Sequence, residues 1–184
     1  MKPTERITIA GFGGQGVMMI GQMIAYSGNK ENKNSLWFPS YGPETRGGTA
    51  NCAVIVSEGQ INSPVFSKAD TLIVLNEPSL DKFKEKIQKD GIILYNSSLI
   101  PSVSLAHPLV YPIPIQDIAL SLGNPKVANM VMLGAYLGLK PLFREETISA
   151  VLDYYLGAGK HHFLEINLQA IAAGKAYVKE HFPC

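Results

Sequence analysis

A cluster of glycines near the start of the chain constrains the fold more than any other feature of this sequence. It reads GFGGQG and matches the pattern G-x-G-x-x-G at Gly11, Gly13 and Gly16. Residues 7–10 before it form a short apolar run that is typical of a strand, and residues 14–27 after it place apolar side chains at helical spacing. A strand, a glycine turn and a helix in this order predict the first unit of a Rossmann-like sheet.

Further runs of strand and helix character alternate along the chain. Residues 50–57 alternate cleanly, with Cys52, Val54 and Val56 on one face, and predict a strand in an antiparallel pair. The other predicted strands are 35–38, 71–75, 92–95 and 109–113; the other predicted helices run from Pro78 to Gly91 and over 126–139, 145–156 and 164–181. We therefore expect one α/β domain over residues 1–184, with three layers, a Rossmann-like mostly parallel sheet, an antiparallel strand pair and a helical C-terminal segment.

The charge balance argues against several classes of partner. The 184 residues carry 16 Lys and Arg against 15 Asp and Glu, so the concentrated basic face that nucleic-acid binding needs is not expected. Charged residues make up 17% of the chain, which favours a surface that another subunit covers. The longest nearly uncharged helical stretch, 127–139, is shorter than the roughly 20 residues that a bilayer requires. The polar start does not resemble a signal peptide, so we expect a cytoplasmic protein without a membrane span.

The cysteine and histidine positions argue against a metal site. Cys52 and Cys184 form no C-x-x-C pair, and two cysteines are too few to hold an iron–sulfur cluster or a structural zinc ion. His161 and His162 are adjacent, so on a helix their side chains diverge instead of forming an i, i+4 metal pair. The sequence therefore predicts no metal ligand. It also predicts no catalytic residue, because no nucleophile is visibly paired with a base.

The glycine turn has the residue types of an anion site. Glycines let the backbone approach a ligand closely, and the free amides at the start of a helix attract negative charge. The candidate binding residues are Gly11, Gly13, Gly14, Gln15 and Gly16. The same glycines also fit a turn that only lets the helix pack closely on the sheet, and both interpretations stay open. A nicotinamide site would need an acidic residue where the second strand ends, but that strand ends in WFP, which argues against it.

A second glycine-rich segment contains one arginine. Residues 39–49 read PSYGPETRGGT, and two prolines and three glycines make regular structure there improbable. The planar fork of Arg46 suits a carboxylate or a phosphate, so Arg46 is a further candidate for binding a cofactor. The alternative is an ion pair between Arg46 and Glu44 or a partner's surface.

Taken together, these segments resemble one known family. The motifs are GFGGQGV at 11–17, WFPSYGPETRGGTANCAVIVS at 37–57, SP at 63–64 and the strand entrance at Asp70. With Asn129-Met130 and the segment 167–174, they resemble the gamma subunit of the 2-oxoacid:ferredoxin oxidoreductases over nearly the whole chain. The sequence RGGTANC at 46–52 is more similar to the corresponding segment of members that use 2-oxoglutarate or 2-oxoisovalerate than to that of members that use pyruvate.

The resemblance implies a non-catalytic subunit of a multi-subunit enzyme. Such an enzyme decarboxylates a 2-oxoacid, here 2-oxoglutarate first, and forms acyl-CoA while reducing ferredoxin. Thiamine diphosphate, Mg²⁺ and [4Fe–4S] clusters are then expected in companion alpha, beta and ferredoxin-like delta subunits. The gamma subunit is expected to be a scaffold that contributes to the coenzyme A (CoA) site, with a diphosphate on Gly13, Gly14 and Gln15 near Arg46.

Three alternatives to this assignment stay open at this point. One is a 2-oxoisovalerate or pyruvate member of the same family. The second is a free-standing oxidoreductase that binds NAD or a flavin, which the glycine pattern favours and the missing acidic residue disfavours. The third is an interaction module with no small-molecule site. In the absence of companions, surfaces meant for them are expected to let the isolated chain form a homodimer.

Overall fold

The computed structural model describes residues 3–40, 49–101 and 105–183. Its strands are β1 (Thr4–Phe12), β2 (Asn34–Ser40), β3 (Thr49–Ser57), β4 (Ala69–Val74), β5 (Ile87–Asn96) and β6 (Val110–Ile113). Its helices are α1 (Val17–Lys30), α2 (Glu77–Phe83), α3 (Ile115–Ser121), α4 (Ala128–Leu139), α5 (Glu145–Leu156) and α6 (Leu164–His181), with 3-10 turns at Pro125–Val127 and Ala158–Phe163. The predicted α/β class and the helical C-terminal segment are confirmed.

The strands form one sheet in the order β2-β3-β1-β4-β5-β6. Strands β1, β4, β5 and β6 are parallel, whereas β3 pairs antiparallel with both β1 and β2. This confirms a mostly parallel sheet that carries an antiparallel pair. Because the carboxyl ends of parallel strands share one edge, the ends of β1, β4 and β5 lie side by side, which is where ligands bind in open α/β sheets.

One face of the sheet is covered by most of the helices. The alternation in β3 turns Cys52 and Val54 toward α1, and both side chains are fully buried, as the sequence predicts. Helix α4 is apolar almost all round because it lies in the interior of this layer, packed along α6. A Cβ atom added to Gly134 would come within 2.0 Å of the Ile171 carbonyl oxygen, so the backbones of the two helices touch.

A helix covers only one half of the opposite face in the described part of the chain. Helix α2 packs Leu80 and Phe83 on β4 and β5, where they form a second apolar cluster. Over β3 and β2, no helix of the described part of the chain lies on this face, and Phe38 on β2 is 49% exposed. None of the described helices is long and apolar enough to cross a membrane.

One element prediction was wrong, and one helix was missed. The helix that starts at Pro78 ends at Phe83 instead of Gly91, and Ile87 already begins β5. Gly91 lies within β5, at a register shift opposite β4, where an added Cβ would come within 3.0 Å of the Asp70 carbonyl oxygen. Leu80, Phe83 and Ile87 do share one apolar cluster, as the helical spacing implied, but Ile87 reaches it from the sheet. Helix α3 was not predicted at all.

Candidate functional site

The glycine turn forms an open corner at the carboxyl end of β1. Gly11 is buried in the strand, whereas Gly13 and Gly14 are exposed. Gly14 has φ of 92° and Gly16 has φ of 80°, in the left-handed region that side chains disfavour, so the turn requires glycine at both positions. We call residues 12–16 the glycine corner.

Helix α1 starts at this corner without a compensating side chain. Its N-cap is Gly16, which supplies no capping hydrogen bond, and its first turn has no acidic residue. The first helical bond joins the Ile20 amide to the Gly16 carbonyl oxygen at 3.1 Å. The positive end of the helix dipole is therefore available to an anion at the edge of the sheet.

The Gln15 side chain turns inward from the corner. Its Oε1 accepts hydrogen bonds from the Phe12 amide at 2.7 Å and from Asn76 Nδ2 at 3.1 Å. Its Nε2 donates to the Leu75 carbonyl oxygen at 3.3 Å, and its own backbone amide donates to the Phe12 carbonyl oxygen at 3.2 Å. Both ends of the carboxamide are thus bonded to the protein, and Gln15 ties the turn to the end of β4.

Two asparagines that sequence reasoning missed complete this arrangement. Asn96, at the end of β5, donates through Nδ2 to the Leu75 carbonyl oxygen at 3.1 Å. Asn76, just after β4, also caps α2 by accepting from the Ser79 amide at 2.9 Å. We call Gln15, Asn76 and Asn96 the carboxamide cluster. Each asparagine directly follows a buried apolar run at the carboxyl edge, and that position is the sequence signal that could have found them.

Asn129 closes the corner from the side of α4. Its side chain lies against Gly16, where an added Cβ would come within 2.4 Å of Asn129 Nδ2. The same Nδ2 donates to Met19 Sδ at 3.5 Å, and the residue is only 8% exposed. Gly16 is therefore required by its contact with α4 as well as by its backbone conformation.

The second glycine-rich segment leaves and rejoins the sheet next to the glycine corner. Thr49, the first residue of β3, is paired with Phe12 in the antiparallel register, and Ser40 at the end of β2 is paired with Asn51. Arg46 itself lies outside the described residues. Its proximity to the corner therefore stays a prediction.

Gln15 also argues against dinucleotide binding at this turn. A dinucleotide would lay its pyrophosphate over the glycine turn in the crevice outside β1 and β4. Here Gln15 Oε1 lies 2.8 Å from the position of a Cβ on Gly11, and the carboxamide bridges β1 to Leu75 at the end of β4. A ligand in that crevice would have to break these hydrogen bonds, whereas one that contacts Gly13 and Gly14 from outside would not.

The described residues offer no reactive or metal-binding group at the corner. No three His, Cys, Asp or Glu side chains among them are close enough to share a metal ion. Cys52 lies behind α1, and burial raises the pKa of its thiol to about 12. The arrangement can hold an anion through backbone amides, but its described residues include no group that would perform covalent or acid–base chemistry.

A mostly parallel α/β sheet with a glycine turn between its first strand and first helix defines a Rossmann-like domain. The chain belongs to the family "Pyruvate ferredoxin/flavodoxin oxidoreductase", whose model matches residues 6–177.

Curated relatives include one that is longer than this chain and one of similar length. The chain is 39% identical to "Ketoisovalerate oxidoreductase subunit VorA" of Methanothermobacter thermautotrophicus, over 97% of this chain but 37% of that protein. It is 32% identical to "2-oxoglutarate synthase subunit KorC" of Methanocaldococcus jannaschii, over 98% of this chain and 97% of that protein. The chain thus spans little more than a third of the VorA relative.

Solved structures share the fold. The gamma subunit of a keto/oxoacid ferredoxin oxidoreductase from Geobacter sulfurreducens superposes with a TM-score of 0.82 at 26% identity, over 95% of both chains. The 2-oxoglutarate:ferredoxin oxidoreductase from Magnetococcus marinus, which has 2-oxoglutarate, coenzyme A and succinyl-CoA bound, gives 0.87 at 27% identity over 98% of this chain and 32% of that one. The same fold therefore occurs alone and as part of a longer chain.

Proposed function

We propose that this chain is the gamma subunit of a multi-subunit 2-oxoacid:ferredoxin oxidoreductase and folds as one domain over residues 1–184. Family membership and the full-length match to a KorC protein support this assignment. The enzyme would oxidise and decarboxylate a 2-oxoacid to an acyl-CoA in the cytoplasm and pass the electrons to ferredoxin. The gamma subunit would act as a scaffold beside the reacting centre.

The cofactors of the reaction would be held by companion subunits. Two cysteines cannot supply the four thiolates of a [4Fe–4S] cluster, and Cys52 is buried behind α1. The clusters would therefore belong to companion subunits, and the family resemblance implies that thiamine diphosphate and Mg²⁺ also belong to these alpha, beta and ferredoxin-like delta subunits. This chain would add binding surface to the complex instead of redox chemistry.

The contribution that we propose for this chain is to hold the diphosphate of CoA at the glycine corner. The observation that carries this proposal is the uncapped start of α1 next to the exposed Gly13 and Gly14. Backbone amides there can donate to a diphosphate while the helix dipole attracts its charge. Gly11 and Gly16 would contribute by giving the turn its shape, Gln15 would support the turn, and Arg46 would add a guanidinium from the neighbouring segment.

A charge test at Gly14 separates anion binding from a structural turn. Asn and Asp have nearly the same shape and both tolerate a positive φ, so Gly14→Asn and Gly14→Asp impose similar backbone strain but differ in charge. In the assembled oxidoreductase, we expect Gly14→Asp to raise the apparent KM for CoA about tenfold over Gly14→Asn, with kcat at saturating CoA unchanged. Arg46→Ala should raise the same KM.

The matched control is Gly159→Asp, since Gly159 is exposed and an added Cβ there meets no atom within 4 Å. This variant should leave the KM for CoA unchanged. Equal KM values for the two Gly14 variants would contradict an anion at the corner.

The substrate proposal is 2-oxoglutarate, with 2-oxoisovalerate as the second candidate. The sequence RGGTANC at 46–52 and the KorC relative support the first, and 39% identity to a ketoisovalerate oxidoreductase subunit favours the second. Steady-state kinetics of the purified complex with 2-oxoglutarate, 2-oxoisovalerate and pyruvate would discriminate among them. The highest kcat/KM for pyruvate would contradict both candidates.

A further inference from the structure

We propose that the carboxamide cluster is a positioning device that holds the glycine corner in its binding shape. This inference rests on the proposed function, because it assigns a role to residues that support the CoA corner without touching CoA. Gln15, Asn76 and Asn96 would fix the direction of the amides at Gly13 and Gly14 before the ligand arrives.

The cluster joins three parallel strands at their carboxyl ends. The Leu75 carbonyl oxygen, just beyond β4, accepts one hydrogen bond from Gln15 Nε2 and another from Asn96 Nδ2. Gln15 Oε1 in turn accepts from the Phe12 amide at the end of β1 and from Asn76. Gln15 thus uses both ends of its carboxamide in these bonds, which connect the carboxyl ends of β1, β4 and β5 to one another.

The turn has little packing of its own. Gly14 is exposed, and a Cβ added to it would meet no atom within 4 Å, so no neighbouring side chain limits its motion. Glycine also has more backbone freedom to lose than any other residue. Hydrogen bonds that join Gln15 to Phe12, Leu75 and Asn76 restrict that freedom in advance, which lowers the entropic cost of binding a ligand.

Burial separates the two asparagines of the cluster from the ligand itself. Asn96 is fully buried and Asn76 is 3% exposed, so neither can contact a molecule that lies outside Gly13 and Gly14. Asn129 bounds the corner on its other side, against Gly16. The asparagines of the cluster can therefore affect a ligand only through the shape of the turn.

Asn76→Ser is the sharpest test. Serine is also a good N-cap, so it retains an acceptor for the Ser79 amide, but it removes the Nδ2 donor to Gln15 without adding charge. In the assembled oxidoreductase, we expect a five- to tenfold rise in the KM for CoA with kcat unchanged within twofold. Hydrogen exchange at the amides of residues 12–16 should speed up in the same variant.

Asn124→Ser is the matched control. Asn124 caps the 3-10 turn Pro125–Val127 through the Lys126 amide at 3.1 Å and has no bond to the cluster. It should leave both the KM for CoA and the exchange of residues 12–16 unchanged. Gln15→Met, which keeps the length of the side chain but none of its hydrogen bonds, is the second variant and should reproduce the effect of Asn76→Ser.

The outcomes distinguish this inference from the proposed function. Faster exchange with an unchanged KM in Asn76→Ser and Gln15→Met would overturn the positioning role while leaving a charge effect at Gly14 intact. Unchanged exchange and unchanged KM in both variants would overturn it as well. If the two Gly14 variants had equal KM values, the assignment of CoA to the corner would fail, and this inference would fail with it.

Discussion

At the scale of the single residue, Cys52 shows how burial controls chemistry in this molecule. Its thiol is fully buried and donates to the Val17 carbonyl oxygen at 3.7 Å. Burial raises its pKa from the ordinary 9.0 to about 12, although the neighbouring Trp37 side chain acts in the opposite direction. The folded state therefore keeps the proton at pH values where the unfolded state has lost it.

Stability should consequently fall at alkaline pH because of Cys52. A thiol with a raised folded-state pKa does not lower the free energy of unfolding below pH 9. The loss of free energy of unfolding grows as the pH rises from 9 toward 12. Between pH 8 and pH 10, Cys52 therefore lowers the free energy of unfolding by about 1.4 kcal/mol. Urea unfolding at both pH values should show this extra loss in the wild type relative to Cys52→Ala. Burial also raises the pKa of Tyr136, but this residue is present in both proteins, so its contribution to the pH dependence cancels in the comparison. Equal pH dependence of the two proteins would contradict the prediction.

The glycines and Gln15 of the candidate site could be found from the sequence, whereas the hydrogen bonds that support the glycine corner could not. Gly11, Gly13 and Gly16 lie within six residues of one another, in a pattern that is typical of a tight turn between a strand and a helix. Gln15 can bond to Asn76 only because the crossover brings β4 beside β1. A contact between residues 61 positions apart depends on strand order, which local spacing does not encode.

At the scale of the element, the contact between α4 and α6 depends on two glycines. A Cβ on Gly134 would lie 2.0 Å from the Ile171 carbonyl oxygen, and one on Gly174 would lie 2.0 Å from the Val131 carbonyl oxygen. Backbone atoms cannot move aside as the end of a side chain can, so the helices would have to separate. Gly134→Ala should lower the free energy of unfolding by about 3 kcal/mol.

Chemical denaturation of the purified chain measures this effect. The control is Gly159→Ala in the 3-10 turn Ala158–Phe163, where an added Cβ meets no atom within 4 Å. That variant should change the free energy of unfolding by no more than about 0.5 kcal/mol. Similar losses for Gly134→Ala and Gly159→Ala would contradict direct backbone contact between the helices.

Most elements were predictable because their patterns are long and have clear boundaries. The sequence predicts α5 and α6 at the residues where the structure has them, since both helices have continuous helical spacing. The helix predicted after Pro78 was too long because Leu80, Phe83 and Ile87 match one helical face. The chain changes from helix to strand between Phe83 and Ile87. Helical spacing indicates which side chains share a core, but here the side chains of that core come from a helix and from a strand.

At the scale of the whole molecule, the two halves of the face opposite α1 should contribute unequally to stability. Phe83 of α2 is 8% exposed and packs in the cluster over β4 and β5, whereas Phe38 of β2 lies on the half without a described helix and is 49% exposed. The ammonium groups of Lys82 and Lys86 also lie 5.7 and 5.3 Å from the centre of the Phe83 ring. The stability on this face is therefore concentrated under α2.

Two substitutions of the same residue type measure that difference. Phe83→Ala should cost about 3 kcal/mol, because it removes apolar contact from a closed cluster and leaves a cavity. Phe38→Ala should cost about 1 kcal/mol or less, because half of that ring is in solvent and what is lost is mainly strand preference. Urea unfolding monitored by far-UV circular dichroism gives both values. A larger loss for Phe38 than for Phe83 would mean that the half of the face over β3 and β2 is as well packed as the half under α2.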